Sequence, residues 1–291
     1  MQMVRPTTWP AALDAIAAEP GLLPISGGTD VMVDVNFDRE RPTGLLDLTR
    51  VPELADWSRD GDLLRVGANV TYARIIDELA ALLPGLAMAS RTVGSPQIRN
   101  RGTVGGNLGS ASPAGDAHPP LLAGLAEVEV ESVRGSRRIP IDEFFVGVKR
   151  SDLAPDELIA AFHAPVAPGP QQFAKIGTRN AMVIAVASFA IELDGAAHRV
   201  GTGIGSAAAT PRRAADAETF LAGEITERAA WDSPTPLPDA VVQRFGELVA
   251  AAASPIDDVR GTAAYRRRAL SVLARRTLGW CWADLDGRQC A

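Results

Sequence analysis

The sequence predicts an α+β protein made of more than one packed unit, and three observations lead there. Short apolar runs of strand length are mixed with amphipathic runs of helical period, with no internal repeat, heptad run or low-complexity segment. The chain has 291 residues and 30.6 kDa, beyond the size at which one hydrophobic core keeps growing, and 46% of its residues are apolar, enough to build a core in each unit. The run Val166-Ala167-Pro168-Gly169-Pro170 concentrates proline and glycine at one interior point and reads as an interdomain linker.

Thr8 is a cap for a first helix over 10–19, with Ala12, Ala15 and Ile16 on one face and Pro20-Gly21 closing it. A strand over 22–26 runs into Gly27-Gly28-Thr29-Asp30 and then into an apolar segment at 31–35. The next strand is Leu45-Leu46-Asp47-Leu48, with a polar boundary near Pro52. Another strand occupies 63–66. Thr71 then starts a helix that carries Tyr72, Ile75, Ile76, Leu79 and Leu83 on one stripe and ends at Pro84-Gly85.

Beyond Ser90 the sequence reads as a glycine-rich loop as far as Pro120, although 119–125 has the makings of a helix; so long a loop points to function. Residues 126–133 alternate as a half-exposed strand does, with Val128 and Val130 on one face and Glu127, Glu129 and Glu131 on the other. Phe144 and Phe145 anchor the turn beyond it. After the linker come strands over 173–176 and 182–193, a helix beginning near Pro211, and a helix over 261–278. The apolar stripe of that last helix includes Tyr265, Ala269, Val272 and Leu273, with Arg266-Arg267-Arg268 and Arg275-Arg276 off it.

Composition narrows the function. With 29 Lys and Arg against 35 Asp and Glu the net charge is -6, which argues against nucleic acid or an anionic membrane surface as partner. The longest apolar stretch, 181–191, is well short of the roughly 20 residues that span a bilayer, and the start of the chain lacks an apolar export signal. A soluble cytoplasmic protein is expected. Two cysteines, Cys281 and Cys290, and three scattered histidines leave no ligand set for an iron–sulfur cluster, a structural zinc or another metal, so no metal site is expected.

Two neutral, glycine-rich segments carry the chemistry. In Pro24-Ile25-Ser26-Gly27-Gly28-Thr29-Asp30-Val31, paired glycines after a strand let consecutive backbone N–H groups converge on phosphate oxygens without a lysine, and Thr29 adds a hydroxyl; taken alone, a plain turn also accounts for it. The segment Gly102-Thr103-Val104-Gly105-Gly106-Asn107-Leu108-Gly109-Ser110-Ala111-Ser112-Pro113-Ala114-Gly115-Asp116 holds hydroxyls, an amide and one carboxylate but no cation. It suits a large ligand with hydroxyls and a pyrophosphate.

Other signals are weaker. No nucleophile elbow accompanies Asp116 and His118, so a catalytic triad is a poor rival, and His118 reads as a solvated or hydrogen-bonded loop histidine. Gly201-Thr202-Gly203-Ile204-Gly205-Ser206 has the wrong spacing for a dinucleotide fingerprint and reads as a turn. Lys175 is either a snorkelling surface lysine or a cation facing a phosphate or flavin edge.

Taken in order, Ile25-Ser26-Gly27-Gly28-Thr29-Asp30, Gln97 through Asn107, Ser112-Pro113-Ala114-Gly115-Asp116, Phe173 through Arg179, and Ile256-Asp257-Asp258-Val259-Arg260-Gly261 with Tyr265-Arg266-Arg267 resemble the FAD-binding subunit of the molybdenum hydroxylases. That family includes xanthine dehydrogenase and aerobic carbon monoxide dehydrogenase. The likeness covers nearly the whole chain. It implies two small FAD-clasping α+β subdomains, 1–52 and 53–167, followed by a C-terminal α+β domain over 171–280.

Carried over residue by residue, the resemblance implies that Pro24, Ile25, Ser26, Gly27, Gly28, Thr29, Asp30 and Val31 form a first pyrophosphate loop, and Thr103, Val104, Gly105, Gly106, Asn107 and Ser110 a second. Asp116 would bind FAD, Ile159 would touch it through its backbone, and Lys175 would lie near the flavin and favour negative charge on it. No side chain need be a catalytic acid or base. Molybdopterin and two [2Fe-2S] clusters are implied in a large and a small partner subunit, which fits a chain with nowhere to ligate clusters; NAD or another acceptor takes the electrons, and a dimer of heterotrimers is implied.

Among branches, Gly115-Asp116-Ala117-His118-Pro119-Pro120 and the 256–261 motif are most similar to bacterial xanthine dehydrogenase FAD subunits, hence purine metabolism. The alternatives are a carbon monoxide dehydrogenase-like or other aromatic or aldehyde hydroxylase, and a stand-alone FAD oxidase.

Overall fold

The computed structural model describes residues 2–287; Cys290 lies outside them. The chain starts with β1 (Gln2–Val4) and α1 (Trp9–Ala18), whose cap Thr8 accepts from the Ala11 N–H at 3.4 Å. It continues through β2 (Leu22–Ile25), α2 (Val31–Asn36) and β3 (Gly44–Asp47). These strands form a parallel sheet in the order β1-β3-β2, so each step between them needs a crossover, which α1 and α2 supply.

After a 3₁₀ turn at Pro52–Leu54, β4 (Trp57–Asp60) and β5 (Leu63–Gly67) form a hairpin. Five short helices follow: α3 (Tyr72–Glu78), α4 (Pro84–Arg91), α5 (Pro96–Arg99), α6 (Val104–Ser110) and α7 (His118–Ala123). Then come β6 (Glu127–Ser132), β7 (Gly135–Pro140), α8 (Ile141–Phe144), the small pair β8 (Phe145–Gly147) and β9 (Arg150–Ser151), and β10 (Leu158–Pro165). An antiparallel sheet in the order β4-β5-β10-β6-β7 results, with an irregularity in β10 between Ile159 and Ala161. One continuous apolar core, from Ala12 on α1 to Ala164 on β10, serves both sheets.

The C-terminal part has β11 (Gln171–Ile176), β12 (Ala187–Asp194) and β13 (Arg199–Gly205) as an antiparallel sheet, then α9 (Ala215–Glu227), α10 (Asp239–Ala251) and α11 (Ala263–Leu285) packed around a second core. Helices α4 and α7 lie against this sheet and join the two parts. The junction is also polar: the Gln171 side chain accepts from the Gly85 N–H at 2.9 Å, and Arg199 donates to the Ala123 carbonyl at 3.0 Å and pairs with buried Glu192.

Several expectations change. The helix from Thr71 stops at Glu78, and Pro84 opens a new helix rather than ending the old one, because a proline in the first turn has no N–H to lose. The expected loop 90–120 contains α5, α6 and α7; Ser95 and Thr103 cap the first two by accepting from the N–H groups of Ile98 and Gly106. The strand expected over 182–193 starts only at Ala187, and the helix expected near Pro211 starts at Ala215.

The Gly201–Ser206 run is not a turn: through Gly205 it is the strand β13, and its glycines let α7 lie directly on the sheet. A Cβ on Gly203 would stand 2.0 Å from the Pro119 carbonyl oxygen. Helix α11 continues to Leu285, and its inward face differs from the expected stripe, since Arg266 is buried and Tyr265 is exposed. Among the described residues no helix is long and apolar enough to cross a membrane, and no group of three or more His, Cys, Asp or Glu side chains is placed to hold a metal.

Candidate functional site

The first glycine segment leaves the end of β2 and meets the second at close quarters. A Cβ on Gly27 would stand 2.0 Å from the Arg101 carbonyl oxygen. Thr29 Oγ1 and Tyr72 Cδ2 both come within 3.3 Å of where a Gly102 Cβ would be, and the Tyr72 N–H donates to the Gly102 carbonyl at 3.0 Å. Ser26 Oγ donates to Asn69 Oδ1 at 2.6 Å, while Asn69 Nδ2 donates to the Leu48 carbonyl at 2.7 Å, so one amide ties the loop to the ends of two elements.

The backbone of the first loop is short of partners. Among the described residues, the N–H groups of Gly27, Gly28, Thr29 and Asp30 donate to no group of the chain. Gly28 has φ +72. Consecutive unpaired donors in such a turn make an anion-binding concavity. Pro24 and Asp30 are exposed, and Val31 begins α2.

In the second segment each side chain has a local task. Thr103 caps α6 through Gly106 N–H at 2.9 Å, and Val104 is buried in the core, so these residues offer a ligand mainly backbone. Gly105 is buried and Gly106 exposed. Asn107 Oδ1 accepts from the Ala117 N–H at 3.4 Å, and its carbonyl accepts from Ser110 Oγ at 3.0 Å and lies 3.1 Å from His118 Nε2. Ile159, on the irregular stretch of β10, lies beside α6: its Cδ1 is 3.7 Å from where a Gly109 Cβ would stand.

Asp116 and Lys175 join the two parts of the molecule. Lys175 Nζ donates to Asp116 Oδ2 at 2.5 Å, to the Thr92 carbonyl at 3.0 Å and to the Val183 carbonyl at 3.1 Å, with its side chain 8% exposed. It is therefore no snorkelling surface lysine. Burial pushes the Asp116 carboxyl up to about 6, against the opposing pull of the Lys175 ammonium. Asp116 Oδ1 is buried with no hydrogen-bond partner among the described residues.

The structure thus brings Gly27 and Thr29 against the second segment, which leads through Asn107 and Ala117 to the Asp116–Lys175 pair where the two parts meet; Ile159 lies beside Gly109, and Pro24 and Val31 stay at the ends of β2 and α2. It adds groups that the sequence reading missed. Tyr72, a core residue by its helical stripe, is buried, and burial first, then the charges of Asp116 and Asp30, push its phenol well above the usual range, which keeps it a neutral donor. Asn69 and Thr92 also enter through contacts distant in sequence, and no local pattern marks them. His118 is not solvated but fully buried, and burial lowers it to about 4, so it is a neutral ring bracing Asn107. The other histidines are structural too: His163 pairs with Glu129 at 2.5 Å, and His198 stacks on Trp231.

These features fit a dinucleotide of the flavin type. Unpaired backbone donors suit a pyrophosphate, and an orphaned buried carboxylate oxygen suits a hydroxyl donor such as those of a sugar or ribityl chain.

Comparison with known proteins agrees with that chemistry. Residues 1–167 match the family described as the FAD binding domain in molybdopterin dehydrogenase, and residues 172–281 match the CO dehydrogenase flavoprotein C-terminal domain. The nicotine 6-hydroxylase medium subunit of Paenarthrobacter nicotinovorans is 32% identical over 96% of both chains. A putative xanthine dehydrogenase FAD-binding subunit of Escherichia coli K12 is 28% identical over 98% of this chain and 97% of its own. Among solved structures, a carbon monoxide dehydrogenase chain from Hydrogenophaga pseudoflava superposes with a TM-score of 0.89 at 25% identity, covering 98% of each chain.

Proposed function

The chain belongs to the family of FAD-binding medium subunits of the molybdenum hydroxylases, and from that premise we propose that it relays electrons from partner subunits to a soluble acceptor. Bound FAD supplies the redox chemistry, exchanging electrons singly or in pairs. The chain's own residues do the rest. The backbone of Gly27 to Asp30 and of Thr103 to Asn107 holds the phosphates, Asp116 accepts from a hydroxyl, and Ile159 and the Lys175 region close the pocket. Residues 1–52 and 53–167 form the two halves of the clasp, and 171–280 the domain that completes it.

The observation that carries this reading is the meeting of two glycine segments, the first with four unpaired backbone donors, together with a buried carboxylate oxygen that has no partner among the described residues. The partners in this proposal are a large molybdopterin subunit, where substrate is hydroxylated, and a small [2Fe-2S] subunit, assembled as a dimer of heterotrimers, with NAD or another acceptor taking the electrons. The motifs at 115–120 and 256–261 favour a xanthine-type substrate, hence a role in purine metabolism. The likeness to a nicotine hydroxylase subunit favours a second member of the same chemical class, so we take the substrate of the complex to be a nitrogen heteroaromatic ring.

Purification of the chain alone tests the first part. Stoichiometric FAD, taken up or reconstituted, with no turnover of xanthine or nicotine, is the expected result. A colourless chain that cannot be reconstituted overturns it, and turnover by the chain alone favours a stand-alone oxidase. Co-expression with neighbouring molybdopterin and iron–sulfur subunits, followed by assay on xanthine and nicotine, tests the second.

A further inference from the structure

A buried lysine beside a flavin pocket invites the reading that its charge acts directly on the cofactor. The geometry says otherwise. An ammonium has three N–H donors, and all three of Lys175's are committed within the protein, to Asp116 Oδ2 at 2.5 Å, the Thr92 carbonyl at 3.0 Å and the Val183 carbonyl at 3.1 Å. None is left for a phosphate or a ring edge. Asp116 is in the opposite position: Oδ2 is taken, while Oδ1 is buried and has no partner among the described residues.

Resting on the FAD reading above, we propose that Lys175 is a positioning residue: it fixes Asp116 by one oxygen, keeps it ionised, and so presents the other oxygen to a hydroxyl of the bound flavin nucleotide. The two residues come from different parts of the chain, Asp116 from the turn before α7 and Lys175 from β11, so the pair completes the acceptor only when the C-terminal sheet is docked.

Among the described residues, the groups that face Asp116 leave Lys175 as the one cation able to do this. Thr92 Oγ1, at the end of α4, is 3.5 Å from Oδ2 and uncharged. Tyr72 on α3, whose phenol feels the charges of Asp116 and Asp30, stays neutral, and His118 on α7 is held neutral by burial. With Lys175 in place the carboxyl sits at about 6, so it is ionised at neutral pH; without it, burial acts unopposed by that ammonium and Asp116 holds its proton to higher pH.

The test is FAD binding to the full apo chain, followed by flavin fluorescence and absorbance from pH 5.5 to 9, for the wild type and for Lys175→Met, Lys175→Arg and Asp116→Asn. Wild-type affinity is expected to be level above about pH 7 and to fall below about 6, approaching tenfold per unit. Lys175→Met is expected to bind about tenfold or more weakly at pH 7 and to recover towards pH 9 as Asp116 loses its proton. Asp116→Asn is expected to be weak and independent of pH. Lys175→Arg, which keeps the cation and guards against a general loss of fold, is expected to keep most of the neutral-pH affinity.

A Lys175→Met chain weakened by the same factor at every pH overturns the inference, because that is the behaviour of a direct contact. An unchanged Lys175→Met chain overturns it as well. Either result leaves the flavin reading standing. A wild-type chain that takes up no FAD at any pH removes the flavin reading and this inference with it.

Discussion

Gly27 and Arg101 are in backbone contact: the Cβ that any other residue would carry at position 27 falls 2.0 Å from the Arg101 carbonyl oxygen. The two glycine segments can therefore lie side by side only because one of them lacks a side chain here. Gly27→Ala must push them apart, and overpacking against backbone costs about 1–3 kcal/mol. The expected outcome is that loss in urea unfolding together with at least tenfold weaker FAD binding. Gly223→Ala on α9 is the control, since nothing lies within 4 Å of its Cβ; it should leave FAD binding intact and raise stability by about 0.5–1 kcal/mol.

Asp116 and His118 make opposite demands on pH. Asp116 is raised from 3.8 to about 6, so its contribution to stability is present below 3.8 and lost as pH rises through about 6. His118 is lowered from 6.5 to about 4, so its contribution is present above 6.5 and lost as pH falls through about 4. Each shift corresponds to about 3 kcal/mol, and between pH 4 and 6 the two nearly cancel. Asp116→Asn should uncover the histidine: relative to wild type, the stability of the apo chain should climb with pH over this interval. His118→Gln should uncover the opposite slope. Urea unfolding at several pH values reads both, and parallel curves for all three proteins would reject the assignment.

Arg266 belongs to the core although it sits in a run of three arginines. Its guanidinium donates to the carbonyls of Val186, at 3.1 Å, and Ser206, and it pairs with Asp258, so one side chain gathers the start of β12, the end of β13 and the 256–261 motif. Arg266→Met leaves those acceptors buried without a donor and Asp258 without this partner. Asp258 keeps Arg260 as a partner at 2.9 Å, so the loss is set by the two stranded carbonyls, about 1–3 kcal/mol each, and Lys, a single point donor, should not fully restore it. Thermal unfolding of the two variants checks this; equal stability of Arg266→Met and wild type would contradict it.

What the sequence made legible follows from the range of the interactions. Thr8, Thr71 and Thr103 act within three residues of themselves, and the helix caps at Thr8 and Thr71 were readable from the sequence for that reason. Thr103 capped a helix that its glycines concealed, because the stability of α6 comes from packing rather than from propensity. The glycine loops were legible as composition, but their juxtaposition was not, since Gly27 and Arg101 are far apart in the chain. Arg266 shows the same limit, a charge that reads as surface until the fold supplies its acceptors, and Lys175, open between surface and flavin edge by its sequence, is fixed only by Asp116, Thr92 and Val183. Tyr72 was placed correctly inside, and only the arrival of Asp116 and Asp30 turns a core aromatic into a neighbour of the site.

Gly203 connects the second core to the site. Helix α7 rests on β13 with the Pro119 carbonyl oxygen 2.0 Å from where a Gly203 Cβ would stand, and the Ala123 carbonyl in the same relation to Gly201. Asp116 and Ala117 lead into that helix, and Ala117 N–H is what Asn107 of α6 accepts from. A methyl at position 203 must lift α7 from the sheet, and the helix carries Asp116 away from Lys175 as it moves. Gly203→Ala is therefore expected to do two things at once: lower stability by about 1–3 kcal/mol, as overpacking does, and weaken FAD binding although residue 203 lies outside both loops. Excess FAD distinguishes displacement from unfolding. If the variant is folded, as judged by far-UV circular dichroism, yet needs at least tenfold more FAD for saturation, then β13 sets the position of Asp116; if its affinity equals that of wild type, α7 adjusts without moving the carboxylate and the connection fails.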